Sequence, residues 1–184
     1  SDVCSSYLLP KLVVELGLAQ RIAPAQGAFP VLVMMPFSAQ GKSEESIEAL
    51  RRQLSQNTGD AALWGRYALW LAETYKNDAL ASIALDRVLS IQPKSAAAIN
   101  NLAVLKSRVG RLGAEDPWTA TQVVALLKDA EAVEQGTTAA RSNRARMLNF
   151  FGIHSAARKI WEKIPAAART PEVEDGLGVS LQGT

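Results

Sequence analysis

Apolar and polar positions recur with helical spacing along most of the chain. Between residues 8 and 16, leucines and valines follow this spacing, which predicts a helix over about 6–20 with Pro10 in its first turn. From residue 44 onward the same spacing predicts a series of helices, beginning with one over 44–56. Paired amphipathic helices of this length cannot bury their apolar faces alone, so we expect neighbouring helices to stack on one another.

Residues 29–37 break the helical pattern. This short apolar run is bracketed by prolines and rich in valine and methionine, which predicts a strand or a buried extended arm. Two interpretations follow: the arm is donated to a neighbour, or it covers the end of the downstream core, and we favour the second. A small polar connector over 37–43 then separates an amino-terminal cap or arm, residues 1–43, from the helical domain, residues 44–184.

The helical domain contains a repeated pattern of about 34 residues. In its first unit, an aromatic residue is followed by a large apolar and a small residue on one helix, and small and apolar residues recur on the next helix up to a closing proline. The matching positions are Trp64, Tyr67, Ala68, Leu71, Ala81, Leu85, Val88 and Pro93. This pattern resembles the tetratricopeptide repeat, a helix-turn-helix unit.

Two further units carry parts of the pattern. The second has Ile99, Leu102, Ala103 and Lys106 on its first helix, a turn at 109–111, and an insertion before a helix that begins near Pro117 and has Val133 on its apolar face. The third has Gly152 in its turn, and Ala157, Trp161 and Ile164 at the packing positions of its second helix. Arg141 and Arg144 replace the expected apolar residues on its first helix.

The resemblance implies an all-α, right-handed solenoid with an atypical amino-terminal cap. The predicted units are 61–94, 95–137 and 138–169, with a partial unit over 171–184. That last unit is either a solvating half-repeat or a sign that the chain is a fragment of a longer protein, and we favour the fragment.

Composition narrows the function. The chain has one cysteine, Cys4, and one histidine, His154, so we expect no disulfide framework, no metal site and no enzymatic activity. No glycine-rich phosphate loop follows a predicted strand, and we expect no cofactor. The chain contains no run of about eighteen apolar residues, so the sequence predicts no membrane-spanning helix. The alanine-rich composition favours the cytoplasm and leaves the periplasm open.

In the tetratricopeptide family the first helices line a concave groove that holds an extended peptide. Carried onto the matching positions, the resemblance implies a groove open to a guest chain, with Arg66, Asn101 and Asn143 as a ladder. The predicted binding residues are Arg66, Leu69, Glu73, Asn100, Asn101, Val104, Arg108, Asn143, Arg146 and Asn149, with Gly65, Ser142 and Phe150 beside them. Asparagine amides can pair with a peptide backbone, and Arg108 and Arg146 can bind a carboxylate.

We therefore expect a non-enzymatic adaptor that binds a protein segment within a larger assembly, with secretion, envelope-assembly and motility machinery all open. Two alternatives remain. Residues 141–169 hold seven basic side chains against Glu162 alone and could bind nucleic acid or an anionic surface, although the acidic segment 112–134 could instead pair with them. The apolar arm could also pair copies of the chain into a homo-oligomer.

Overall fold

The computed structural model describes residues 32–35, 37, 47–110, 117–133 and 138–182, and the predicted helix over 6–20 lies outside them. Within these ranges the chain forms eight α-helices and no β-strand, so the all-α prediction is confirmed for this part of the protein. The helices are α1 Ile47–Gln56, α2 Ala61–Glu73, α3 Asp78–Ile91, α4 Ala96–Gly110, α5 Pro117–Val133, α6 Thr138–Phe150, α7 His154–Trp161 and α8 Pro171–Gln182. A short 3₁₀-helix, Ala166–Ala168, precedes α8.

Polar side chains set the first helix boundaries. Asp60 caps α2 by accepting hydrogen bonds from the backbone N–H groups of Ala62 and Leu63 at 2.8 and 3.1 Å. Asn77 caps α3 by accepting from the N–H of Leu80 at 2.9 Å. Lys76, with φ of 56°, turns the chain between the two helices. These local interactions produce the turn that the sequence predicts at residues 76–78.

Consecutive helices pack against each other along the chain, and α6 also packs on α8. The α2–α3 pair buries Ala81, Leu85 and Val88, the residues that periodicity places on the inner face of α3. The α6–α7 pair likewise buries Ala157 and Trp161. Each pair therefore uses the apolar positions of the repeated pattern as its interface.

Two predicted details are wrong. The helix α4 continues through Val109 and Gly110, where the sequence predicts a turn. Val133, expected on the apolar face of α5, is 40% exposed because it is the last residue of that helix and extends beyond the packed interface.

Close approach between helices depends on glycine at one position of α8. A Cβ atom added at Gly176 would lie 2.5 Å from Cζ2 of Trp161, whose indole is completely buried. The glycine therefore lets α8 lie directly against the indole of Trp161. Among the described helices, none combines the length and apolar character needed to cross a membrane.

Candidate peptide-binding groove

The described residues of the 29–37 segment lie against α2, α4 and α6. From here on, "the arm" means only residues 32–35 and 37, the described part of that apolar run. Leu32, Met35 and Phe37 are buried, at 4%, 7% and 9% exposure, whereas Val33 is 49% exposed. Each buried residue joins a different apolar cluster: Phe37 that of α2, α3 and α4, Met35 that of α4, α5 and α6, and Leu32 that of α4–α8. The arm thus links three parts of the core.

Asn101 of α4 pairs with the backbone of Met35. Its Oδ1 atom accepts from the Met35 N–H at 2.6 Å, and its Nδ2 donates to the Met35 carbonyl at 2.9 Å. A carboxamide offers both an acceptor and a donor, so one side chain satisfies both polar groups of one residue. This contact binds the peptide backbone whatever the side chain at position 35.

Asn143 of α6 makes the same paired contact two residues earlier. Its Oδ1 accepts from the Val33 N–H at 2.9 Å, and its Nδ2 donates to the Val33 carbonyl at 2.7 Å. Asn100 connects Asn101 and Asn143. Its Nδ2 donates to Asn101 Oδ1 at 3.0 Å and to the Val33 carbonyl at 3.2 Å, and its Oδ1 accepts from Asn143 Nδ2 at 3.0 Å. All three asparagines are fully buried, and the bonds between Asn101 and Met35 are shielded from water, whereas the bonds to the half-exposed Val33 are only partly buried.

The ring of Phe37 packs directly against the backbone of α2 at Gly65, and we call this position the aromatic seat. A Cβ atom added at Gly65 would lie 2.5 Å from Cγ of Phe37, so only glycine leaves room for the ring. The neighbouring Arg66 occupies the position equivalent to Asn101 and Asn143 in the repeated pattern. A guanidinium has donors and no acceptor, so Arg66 cannot form the two-way contact of the asparagines.

The spacing of these contacts shows that the arm is extended. Val33, Met35 and Phe37 meet α6, α4 and α2 in turn, so the chain passes from one helix to the next every two residues. Two residues of a folded-back segment could not reach from one of these helices to the next, because even a fully extended chain gains only about 7 Å over two residues. The arm therefore crosses the three helices in an extended conformation, in the order opposite to their order in the chain.

The expectation of an open groove is wrong at its centre. The wall around Asn101 and Asn143 holds the protein's own arm. The segment covers its own downstream core, as we favoured, but it lies along α2, α4 and α6 and not at one end of that core. The sequence identified the amides and the apolar run separately. It did not show that they bind each other, because sequence separations of 66 and 110 residues leave no local signal for the pairing.

Several predicted binding residues have structural partners instead. Val104 is fully buried in the same apolar cluster as Leu32 and presents nothing to a solvent-borne ligand. Arg108, expected to bind a guest carboxylate, binds the chain's own Glu73 at 2.7 Å and Asp78 at 3.6 Å. Both carboxylates belong to the first helix pair, so these ion pairs hold α4 against α2 and α3.

Asn149 also serves the fold. Its Nδ2 donates to the Gly176 carbonyl at 2.8 Å, and its Oδ1 accepts from the Ser180 hydroxyl at 2.8 Å, which ties α6 to α8. The ring of His154, the only histidine, lies 3.3 Å from the same oxygen through Nδ1. Asn149, predicted to bind a guest peptide, therefore uses its carboxamide to hold α8 against α6.

An open cleft of about 1180 Å³ continues from Val33 between α6 and α8. Arg146 lines it on the α6 side and Glu172 on the α8 side, with Ser142 and Phe150 beside them. Hydrogen bonds from Thr170 and from the backbone lower the pKa of Glu172, and Arg146 adds a smaller effect of the same sign. Asp175 of α8 also lines the cleft, which therefore carries one basic and two acidic side chains and offers no basic surface for an acidic ligand.

The basic residues of the third unit are partly neutralised by the preceding helix. Glu131 of α5 lies 3.4 Å from Arg141 and 2.9 Å from Arg144, all three being at most 19% exposed. Burial lowers the pKa of Arg144, and the carboxylate of Glu131 opposes that effect. Acidic and basic side chains of neighbouring units therefore pair here, and the pairing directs these two arginines into the protein.

Within the described ranges, no group of three or more histidine, cysteine, aspartate or glutamate side chains is placed to hold a metal ion. Comparisons with protein families, with curated proteins and with solved structures find no match to this chain. The resemblance to tetratricopeptide repeats therefore stands on the residue pattern alone.

Proposed function

We propose that the chain is a non-enzymatic adaptor that binds an extended protein segment within a larger assembly. In this proposal its helix pairs form tetratricopeptide-like units of a right-handed solenoid, and the first helices α2, α4 and α6 line the binding groove. The observation that carries the proposal is the pair of two-way contacts that Asn101 and Asn143 make with an extended backbone.

The physical basis is that these contacts bind main-chain groups. Every residue except proline carries the same N–H and carbonyl, so a groove built on carboxamides accepts any segment that can extend across it. Side-chain seats such as the one at Gly65 then select among such segments. The bonds of the arm to Asn101 and Asn143 within one chain support this mode of binding, and a partner segment would use the same groups.

Self-assembly is a second candidate, and the arm favours it. The groove's visible ligand is a segment that every copy of the protein carries, joined to α1 through residues 38–46. If the arm left its own groove, the arm of one copy could bind the groove of another with the same hydrogen bonds, as in domain swapping. Sedimentation over a hundredfold range of concentration would detect the resulting dimers or chains.

Site-specific photo-crosslinking in the native cells tests the adaptor proposal. A photoreactive amino acid replaces Leu69, which lies one helical turn beyond Gly65 on the same face of α2. The matched control replaces Ile83 of α3, which is 65% exposed and outside the groove.

We expect position 69, and not position 83, to form adducts with a segment of another protein. Adducts from position 69 to the arm of a second copy would favour self-assembly. Adducts to other proteins from position 83 alone would contradict binding in the groove.

A further inference from the structure

We propose that the partner segment takes the place of the arm, and that it carries large apolar residues at its first and fourth positions and an aromatic residue at its sixth. The arm is then a tethered competitor that occupies the groove until such a segment displaces it. This inference rests on the proposed function and adds the sequence that the groove selects.

The selected pattern follows from which arm residues are buried. Leu32, Met35 and Phe37 fill the apolar wall at the first, fourth and sixth positions, while Val33 at the second is half exposed. A replacement segment must cover the same three apolar clusters, because each would otherwise be opened to water. The groove therefore demands apolar side chains at these positions and tolerates variety at the second.

The sixth position has the strictest requirement. The ring of Phe37 occupies the space that a side chain at residue 65 would take, with Cδ1, Cγ and Cε1 all within 2.7 Å of where a Cβ atom on Gly65 would lie. A flat ring can lie against a bare helix backbone, whereas a small side chain would leave a void there. Gly65 thus makes this seat selective for an aromatic residue.

The amide contacts also set the direction of the segment. Asn143 binds the second position and Asn101 the fourth, so the amino-terminal end of the segment lies at α6 and its aromatic residue at α2. Positions 33 and 35 are two apart, which turns their N–H and carbonyl groups to the same edge of an extended chain. Proline at the fifth position, as at residue 36 here, removes no N–H group that the asparagines use.

Competition from the arm predicts an unusual response to substitution. A tethered arm acts at an effective concentration of about 1 mM, so changes that weaken only the arm must strengthen the binding of an added segment. Phe37→Ala is such a change. Asn101→Ala, in contrast, removes the same hydrogen bonds from the arm and from the added segment, so its effects on the two largely cancel.

The test uses the full chain and two fluorescein-labelled peptides, with binding followed by fluorescence anisotropy. One peptide has the sequence of residues 29–39, and the other is the same peptide with Phe37→Ala. We expect the first peptide to bind the F37A protein at least tenfold more tightly than it binds the unsubstituted protein. The second peptide should bind the F37A protein on the order of tenfold to a hundredfold more weakly than the first.

A second substitution in the protein isolates the aromatic seat. In a protein carrying both F37A and Gly65→Ala, we expect the two peptides to bind equally, because the added methyl group fills the space for the ring. Gly178→Ala is the matched control on α8, where a Cβ atom meets nothing within 4 Å, and it should leave the difference between the peptides intact.

The outcomes separate this inference from the proposed function. If both peptides bind the F37A protein equally well, the aromatic seat is wrong, while binding of an extended segment stands. If the F37A and unsubstituted proteins bind the first peptide equally, the arm is no competitor. If neither peptide binds at 1 mM, both proposals fail. Should F37A prevent folding, as judged by circular dichroism, Leu32→Ala weakens the arm at its other end and the same comparison is made.

Discussion

Replacing Gly65 with alanine tests how the arm is held against α2. The added Cβ atom would lie 2.5 Å from Cγ and 2.7 Å from Cε1 of Phe37, both atoms of a rigid ring that is 9% exposed. A contact this short cannot be relieved by a small rotation, so we expect the ring to leave its seat. Losing the burial of a phenylalanine side chain costs about 2 kcal/mol. Alanine in a helix interior restores about 1 kcal/mol relative to glycine.

The net expectation for Gly65→Ala is a decrease of about 1 kcal/mol in the free energy of unfolding. Urea denaturation followed by tryptophan fluorescence measures it. Gly178→Ala is the control: it lies in α8 with nothing within 4 Å of its added Cβ atom, so it should instead raise stability by about 1 kcal/mol through helix propensity alone. The two substitutions are chemically identical and differ only in what the methyl group meets.

A double-mutant cycle identifies the ring as the cause. In a protein that already carries Phe37→Ala, the seat is empty, and Gly65→Ala should become stabilising by about 1 kcal/mol, as at Gly178. The sign of the effect therefore reverses between the two backgrounds. If Gly65→Ala destabilised both backgrounds equally, its cost would arise elsewhere and the assignment of Phe37 to this seat would be refuted.

Three further predictions concern the rest of the site and the array. Asn143→Ala removes both bonds to Val33 and should lower the free energy of unfolding by about 2 kcal/mol in urea titrations, and no change would show that the arm is not bound there. Glu131→Gln leaves two partly buried arginines of α6 without their carboxylate and should lower the free energy of unfolding by about 2 kcal/mol. Glu162→Gln removes a carboxylate from an exposed pair and should lower it by less than about 0.5 kcal/mol. Equal decreases would contradict this difference in burial. The fold lowers the pKa of Glu172, so the Glu172 carboxylate stabilises the protein above the ordinary glutamate pKa of 4.5 and less so as the pH falls below that value. The stability difference between the protein and its Glu172→Gln variant should therefore shrink on acidification. A difference that stays constant with pH would exclude this linkage.

Helical periodicity predicted the elements well because its cause is local. Ala81, Leu85 and Val88 fall on one face of α3 through backbone geometry alone, and all three are buried. Asp60 and Asn77 end the preceding turns through bonds to residues two and three positions away. The end of α4 was predicted less well, because Gly110 favours a turn only by a small energy that other interactions of the helix outweigh.

The candidate site was only partly predictable. The repeated pattern placed Asn101 and Asn143 at equivalent positions, and both bind an extended backbone. It placed Val104 and Asn149 in the groove as well, although the first lies in the core and the second holds α8. A pattern assigns a residue to a face of a helix, and whether that face meets solvent, another helix or a distant segment depends on what packs there.

The sequence by itself determined the all-α character of the described chain, the apolar faces through which consecutive helices pack, and the asparagines of α4 and α6. These follow from interactions within a few residues, whose strength does not depend on the rest of the protein. The tertiary structure alone decided that an apolar segment from the amino-terminal region occupies those amides, with its phenylalanine ring against the bare backbone of Gly65. This contact joins residues far apart in sequence. Shape complementarity and paired hydrogen bonds set its free energy of binding, and no local sequence pattern identifies the two surfaces as partners.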